Sequence, residues 1–361
     1  MEKSKAVIDD ILEKRIRAER IDRKAVDSVK KAWDKVSKPI GSLGEFESMY
    51  ARIAAIQKRD EADLNHMRMV VFCGDHGIVE EGVSQTGQEV TRLCATNIGK
   101  GLTTAGVMAK SLGVDVVSVD VGINASMDVP FTRNCRVKNG TDNFLKNPAM
   151  SLFEFKEALW VGMEMARESK ENGFSCLLVG EMGIGNTTSA AVMAGYLLDL
   201  DADLVTGRGA GLDDASFLKK RSVVSKALSM YDDLSPLEVC CDFGGLELVA
   251  MTGFIMGAAC YGIPVILDGM LSMTSALVAE RLFPNAKEYV IASHMSKEPV
   301  AVKLAGELGL EPVIYGKMAV GEGAGALMLV PELRLADVVF KDALKFGDSG
   351  VDQYENYTEV K

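Results

Sequence analysis

A glycine-rich turn between an apolar run and a helix start is the first feature of this sequence that indicates chemistry. Apolar residues 176–179 lead into the glycine turn Gly180–Thr188. A helix that begins at such a turn points backbone N–H groups at one spot, where its dipole also favours an anion. The turn supplies glycines for close approach and polar side chains for capping or binding: Gly183, Gly185, Asn186 and Thr187. It matches neither GxGxxG nor a Walker loop, so phosphate binding and a purely structural role both stay open.

A second glycine-rich loop, residues 206–214, precedes the basic group Lys219, Lys220 and Arg221. The chain as a whole is acidic, so cations beside a flexible loop are a candidate second contact for a phosphate or a ribose. We expect at least two of the three cations to lie instead on a solvated helix face.

Glu322 is the strongest candidate for a reacting carboxylate. It stands between glycines in residues 321–326, just before an apolar helix. Close backbone approach and little shielding suit a side chain that contacts a ligand, and desolvation would raise its pKa toward the range of a general base. Glu181 has a similar setting, so one site could hold two carboxylates with different roles. The residues alone leave a capping role open for either.

The segment Asp75-His76-Gly77 resembles the start of many catalytic motifs, but no GxSxG, HExxH or HxxEH accompanies it. A hydrolase triad and a zinc hydrolase are therefore poorly supported, and we expect His76 to orient a loop. The chain has only three histidines. We expect neither a metal nor a cofactor.

Short apolar runs alternate with helical segments from residue 69 onward, and these runs predict the strands of a sheet. The predicted strands are Met69–Cys73, Val114–Val121, Cys176–Val179, Val265–Leu267, Glu288–Ala292 and Val313–Tyr315. The alternation predicts an α/β fold with a mainly parallel sheet of about six strands and flanking helices. Glycine and polar residues follow most of these strands, at the edge where parallel sheets bind ligands.

Both ends of the chain predict helices. Residues 4–33 place apolar side chains at helical spacing for one or two amphipathic helices, and residues 45–57 and 333–346 predict further helices. We expect a small helical domain from residues 1–66 and 332–361 beside a large domain of residues 67–331.

Composition excludes several classes of protein. The 361 residues carry a net charge of −11, which argues against a nucleic-acid partner. Seven cysteines without a CxxC pair, and a charged start without a signal peptide, predict a cytoplasmic protein with reduced thiols. Residues 248–267 carry no charge over a membrane-spanning length, but glycines and Pro264 interrupt them, so we expect a buried helix and then a strand.

Taken together, these segments resemble the family of nicotinate-nucleotide:dimethylbenzimidazole phosphoribosyltransferases, which assemble the lower ligand of cobamides (vitamin B12). The matching stretches run in the family's order from about residue 38 to 330: 38–44, 74–77, 81–84, 88–91, 140–141, 148–150, 180–189, 207–214, 244–247, 293–294, 298–299 and 321–326. The Gly-Glu-Met-Gly-Ile-Gly-Asn-Thr-Thr segment is highly specific.

The resemblance implies a Rossmann-like large domain, a dimer, and transfer of ribose 5-phosphate from nicotinate mononucleotide to a base with release of nicotinate. It implies that Glu322 is the catalytic base. It places the nucleotide phosphate and ribose at Glu181, Gly183, Gly185, Asn186, Thr187, Gly207, Lys220 and Ser293. It places the acceptor base at Ser84, Met182, Gln88 and Val320.

The chain departs from the family pattern at three places, and the first two named here lie near the acceptor. Met318-Ala319-Val320 replaces the usual Met-Arg-Leu, residues 84–88 are unusual, and Glu298-Pro299-Val300-Ala301 replaces Glu-Pro-Gly-His. Some relatives of this family attach phenols through oxygen and work as pairs of unlike subunits. The acceptor therefore stays open between dimethylbenzimidazole and a phenol, and the assembly between homodimer and heterodimer. A non-catalytic, nucleotide-binding partner subunit is the alternative, and a Rossmann-like dehydrogenase ranks last because no GxGxxG follows the first strand.

Overall fold

A six-stranded, wholly parallel sheet forms the centre of the computed structural model, which describes residues 2–14 and 16–355, with side chains from residue 7 onward. The strands are β1 (Met67–Gly74), β2 (Asp115–Gly122), β3 (Arg133–Asn134), β4 (Cys176–Met182), β5 (Val265–Leu267) and β6 (Val290–Ala292). Their order across the sheet is β3-β2-β1-β4-β5-β6. The order reverses between β1 and β4, and such a switch point opens a crevice beyond the carboxyl ends of the strands.

The predicted α/β class and sheet of about six strands are confirmed, but one of the six predicted strands was wrong. Residues 313–315 form no strand, and only Ile314 makes a bridge, to His294. The strand that was not predicted is β3, a polar, exposed edge strand of two residues. So short a strand has no apolar alternation to reveal it. Residues 286–289 also form a 3-10 turn, so the run predicted from residue 288 begins as strand only at Val290.

Helices flank both faces of the sheet. In chain order they are α1 (Glu2–Lys14), α2 (Arg23–Trp33), α3 (Glu45–Ile56), α4 (Glu89–Gly99), α5 (Thr104–Leu112), α6 (Leu152–Glu171), α7 (Asn186–Leu198), α8 (Ala202–Val205), α9 (Asp214–Leu228), α10 (Pro236–Phe243), α11 (Leu246–Tyr261), α12 (Met270–Leu282), α13 (Ala301–Leu308), α14 (Ala324–Asp342) and α15 (Phe346–Ser349).

Alternate side chains of β1 enter two different hydrophobic cores. Val70 and Phe72 belong to the core built with α6, α7, α11 and α12, whereas Met69 and Val71 belong to the core built with α2, α3, α5 and α14. This is the two-residue period of a strand that is buried on both faces. The sheet is therefore a buried central layer, and its strands fix the points at which the following loops begin.

The uncharged run at residues 248–267 forms a buried helix and then a strand, as predicted. It contributes most of α11 and all of β5. Helix α11 packs closely on α6 at glycines: a Cβ added at Gly253 would lie 2.0 Å from the carbonyl oxygen of Leu159. Among the described helices, none is both long enough and apolar enough to cross a membrane.

Helices α2, α3 and α14 pack together on one face of the sheet, whereas Ile8 and Ile11 of α1 belong to the core on the other face. Trp33, Tyr50 and Phe340 meet with ring centroids 4.8 to 5.6 Å apart. Helix α14 runs unbroken through the boundary expected between residues 331 and 332, and its first half packs in the same core as the strands. The division into two domains stays a prediction.

Candidate active site

A cavity of about 400 Å³ opens beyond the carboxyl ends of β4 and β5. Its size lies within the usual range for a small-molecule site. The turn after β4, the loop after β5 and the loop before α14 form much of its wall. The predicted site residues among its lining are Ser84, Glu181, Met182, Gly183, Gly185, Asn186, Thr187, Lys220, Val320 and Glu322.

The glycine turn lies too close to its neighbours for larger residues. A Cβ added at Gly183 would lie 2.4 Å from the carbonyl oxygen of Gly74, and one at Gly185 would lie 2.8 Å from Cγ2 of Val79. Gly185 also has a left-handed φ of 99°, and as the N-cap of α7 it offers no side chain to the first turn of that helix. Within this turn the N–H groups of Asn186 and Thr188 donate to the carbonyl oxygens of Gly183 and Gly185 over 3.1 and 2.9 Å. What the helix start offers an anion is therefore mainly its dipole.

Lys220 supplies a buried cation beside this helix start. Its side chain is 1 % exposed, and its Nζ donates to Oγ1 of Thr187 over 2.8 Å. Burial lowers the pKa of Lys220 to about 8, opposed by the nearby carboxylate of Glu298. A buried ammonium without a carboxylate in direct contact is suited to an anionic ligand. Lys219 and Arg221 lie on the exposed side of α9, as expected.

Glu322 lies in a strained loop that also lines the cavity. Its φ is +59°, between Gly321 at +78° and Gly323 at +84°. A non-glycine residue in this conformation persists only where its surroundings impose it. They do so here, because a Cβ added at Gly180 would lie 2.5 Å from the carbonyl carbon of Glu322. Oε2 of Glu322 accepts from the N–H of Ala105, in the first turn of α5, over 3.4 Å.

Glu181 is a second carboxyl group with a different environment. It is buried, and its Oε2 accepts a hydrogen bond from Nδ2 of Asn186. Burial, together with the nearby carboxylates of Asp268 and Glu247, raises the pKa of Glu181 to about 8. Glu181 is therefore largely protonated at neutral pH, as expected for two carboxyls with separate roles in one site.

His76 lies under the glycine turn, outside the cavity lining. Its Nε2 pairs with Oε1 of Glu247 at 2.7 Å and its Nδ1 with Oγ of Ser189 at 2.8 Å, and the ring is fully buried. A Cβ added at Gly183 would lie 3.3 Å from Oε1 of Glu247. The ring therefore orients the turn, which is the role predicted for it.

Three predicted site residues do not line the cavity. Ser293 is fully buried and donates to the carbonyl oxygen of Leu267 over 2.7 Å, and Gln88 donates to that of His76 over 3.0 Å. Gly207 lies against Glu298, which does line the cavity. Spacing along the sequence could not predict that Ser293 and Gln88 bond to backbone carbonyls, or that Gly207 packs against a neighbouring side chain. Their roles in ligand binding stay predictions.

An apolar wall near Glu322 was only partly predicted. Besides Met182 and Val320, it contains Val83, Val90, Cys94 and Met318. Such a wall suits a flat aromatic group. Asp268 and His294 also line the cavity. They are among the polar residues that follow the predicted strands, although no individual role was predicted for them. The described residues contain no cluster of three or more His, Cys, Asp or Glu side chains arranged to hold a metal ion.

Comparisons with known proteins identify the family of the chain. A phosphoribosyltransferase family model matches residues 18–351. The nicotinate-nucleotide–dimethylbenzimidazole phosphoribosyltransferase of Acetivibrio thermocellus is 36% identical over 335 residues, which are 92% of this chain and 95% of that protein. The enzyme of the same name from Pseudomonas putida is 35% identical over 334 residues, again 92% and 95%. The crystal structure of CobT from Thermus thermophilus superposes with a TM-score of 0.86 at 35% identity, covering 92% of this chain and all of that one. The chain is therefore a phosphoribosyltransferase and belongs to the nicotinate-nucleotide–dimethylbenzimidazole phosphoribosyltransferase family.

Proposed function

We propose that the chain transfers the ribose 5-phosphate of nicotinate mononucleotide to an aromatic lower-ligand base, giving an α-riboside phosphate and nicotinate for cobamide synthesis. The observation that carries the proposal is one cavity holding both an anion site and a carboxylate. The anion site is the start of α7 with Lys220, and the carboxylate is Glu322. The names of the relatives support the same donor and the same class of acceptor.

The chemistry follows from the two walls. The glycine turn, Thr187 and Lys220 bind the phosphate, which places C1′ of the ribose between the turn and Glu322. The acceptor atom attacks C1′ with inversion while Glu322 takes the acceptor's proton. The bond from C1′ to the pyridinium nitrogen breaks, and its electron pair stays on that nitrogen, so nicotinate departs with a neutral ring. Positioning and one base supply the catalysis.

We propose either dimethylbenzimidazole or a phenol as the acceptor. Val83, Val90 and Met318 form an apolar surface for the flat ring, while Glu322 faces the atom that loses the proton. A phenol would form its new bond through oxygen and would place a higher demand on the base than a protonated benzimidazole nitrogen does. Either acceptor leaves the phosphate side of the site unchanged.

The test is incubation of the purified chain with nicotinate mononucleotide and either acceptor, with mass spectrometry of the riboside phosphate. Product is expected with one acceptor, and Glu322→Gln is expected to lower kcat about 100-fold or more because the base is lost. Thr86→Ala is the matched control in the same cavity, since Thr86 carries no proposed role. A Glu322→Gln chain with full activity would exclude Glu322 as the base.

The second candidate is a nucleotide-binding partner subunit of an active homologue. Ala319 and Val320 favour it, because they line the cavity next to Glu322 where the family pattern has Arg and Leu. In that case the chain alone would bind nicotinate mononucleotide but form no product with any acceptor. We propose a dimer in the cytoplasm in either case, homodimeric for the enzyme and heterodimeric for the partner subunit.

A further inference from the structure

Helix α14 begins directly after Glu322, and its own sequence does not cap it. Its N-cap residue is Gly323, which has no side chain to accept from the first turn. The first N–H groups of a helix have no partner within the helix and need acceptors from elsewhere. A buried helix start without such acceptors would be costly.

Asp268 supplies those acceptors from 55 residues earlier in the chain. It directly follows β5, and its side chain is almost completely buried. Oδ2 accepts from the N–H of Gly323 over 3.1 Å, and Oδ1 accepts from the N–H of Gly325 over 2.8 Å. Both carboxylate oxygens of Asp268 therefore accept hydrogen bonds from the helix turn that directly follows Glu322.

The surroundings of Asp268 leave its carboxylate little freedom. Nδ1 of His294 lies 3.8 Å from Oδ1 of Asp268. A Cβ added at Gly325 would lie 1.8 Å from that Nδ1 and 2.6 Å from Oδ1 of Asp268. Only glycine at position 325 lets the helix start come this close, so the helix, the carboxylate and the imidazole are packed as one unit.

The loop that Asp268 anchors is the strained one. Residues 321–323 are three consecutive residues with positive φ, and Glu322 is the one among them with a side chain. Gly180 packs closely against the backbone of this loop, and Asp268 forms hydrogen bonds with the C-terminal side of the loop. Without those bonds the loop can relax toward less strained conformations, and the Glu322 carboxylate moves with it.

We propose that Asp268 is a positioning residue of the transfer reaction: by capping α14 from the end of β5, it holds the Glu322 loop in its reactive conformation. This inference rests on the proposed function for its catalytic consequence. Its structural part, the anchoring of the loop, can be measured without turnover. Asp268 acts through Glu322, so its removal affects kcat rather than nucleotide binding.

The test variant is Asp268→Asn, which keeps the size of the side chain but replaces one accepting oxygen by an NH2 group. We expect kcat to fall about 100-fold, the loss typical of a reacting group displaced by about 1 Å. The KM for nicotinate mononucleotide and its calorimetric affinity should change less than about 3-fold, because the phosphate side is untouched. The double variant Asp268→Asn/Glu322→Gln should be no slower than Glu322→Gln alone.

Asp22→Asn is the matched control. Asp22 caps α2 by accepting from the N–H of Lys24 over 2.8 Å, on an exposed part of the chain. This variant removes a cap of the same chemistry and should keep kcat. Retention of kcat within about 3-fold in Asp268→Asn, or losses that multiply in the double variant, would overturn the proposal.

Amide hydrogen exchange separates this inference from the proposed function. In the parent chain the N–H groups of Gly323 and Gly325 should exchange slowly, although they lie at the start of a helix. Asp268→Asn should raise the amide exchange rates of residues 321–327 at least 10-fold. Fast exchange at both amides in the parent overturns the inference even if the Asn variant does not fold. Slow exchange in an inactive parent chain would instead count against the proposed function alone.

Discussion

Lys220 shows how position changes the chemistry of a residue that is ordinary in the sequence. It stands among three consecutive cations, but it alone of the three is buried, and its Nζ contacts Thr187 at the start of α7. Burial disfavours the charged form, which is why the pKa of Lys220 falls to about 8. Lys220 at the proposed anion site is therefore charged at neutral pH and loses its charge in a range that experiments reach easily.

The first prediction concerns this titration. Below about pH 8 Lys220 is protonated and attracts the phosphate; above it the ammonium loses its proton, so kcat/KM for nicotinate mononucleotide should fall between pH 7 and 9. Lys220→Arg should remove that fall, because a guanidinium keeps its charge. The pKa of Glu181 also lies at about 8. A fall that persists in Lys220→Arg would assign the titration to Glu181 instead.

At the scale of elements, the glycine turn is held by a pair of buried polar side chains beneath it. His76 comes from the loop after β1 and Glu247 from the first turn of α11, and each is fully buried. Their hydrogen bond joins two elements that are far apart in the sequence. The turn that we propose to bind the anion therefore depends on packing between β1, β4 and α11.

The second prediction removes one member of that pair. Glu247→Leu keeps the volume but leaves Nε2 of His76 buried without a partner, so the free energy of unfolding should fall by about 2–4 kcal/mol. The KM for nicotinate mononucleotide should also rise, because the turn at Gly183 rests on Glu247. Urea unfolding and initial rates measure the two effects.

Tyr50→Phe is the control for this variant. It deletes the hydrogen bond from Tyr50 to Asp337, 2.8 Å long, between the terminal helices. Stability should fall while KM stays the same. Equal changes of KM in both variants would mean that loss of stability, rather than loss of the support under the turn, lowers the affinity.

At the scale of the whole molecule, the close packing of α6 and α11 determines how this helix layer packs against the sheet. Both helices carry glycines where they cross, and a Cβ added at Gly162 would lie 1.9 Å from the carbonyl oxygen of Ala250. Helix α11 in turn packs on β1 and β4, whose carboxyl ends carry the site. A change at the helix crossing should therefore reach the site through the sheet.

The third prediction compares two glycine-to-alanine changes in helices. Gly162→Ala forces α6 and α11 apart and should lower the free energy of unfolding by about 2 kcal/mol or more. Gly306→Ala in the exposed part of α13 meets nothing within 4 Å, and should raise it by about 0.5–1 kcal/mol through helix propensity. Thermal unfolding measures both, and a neutral Gly162→Ala would contradict the close packing.

Local sequence patterns were enough to predict the fold class, most strands and the two segments that we propose to bind the nucleotide and to supply the base. Apolar runs of strand length and glycine turns are local signals, so β1, β2, β4 and β5, the turn at 180–188 and Glu322 could be predicted. Edge strand β3 could not, because two exposed polar residues give no pattern.

The packing of the whole chain determines which polar residues line the cavity and which turn to the protein. Ser293 and Gln88 turn to backbone carbonyls, whereas Asp268 reaches across 55 residues to cap the helix that follows Glu322. Such partners are set by how strands and helices stack, since a side chain's hydrogen bonds depend on what packing brings within about 3 Å of it. The position of Glu322 between glycines could be read from the sequence; the contacts that hold it there could not.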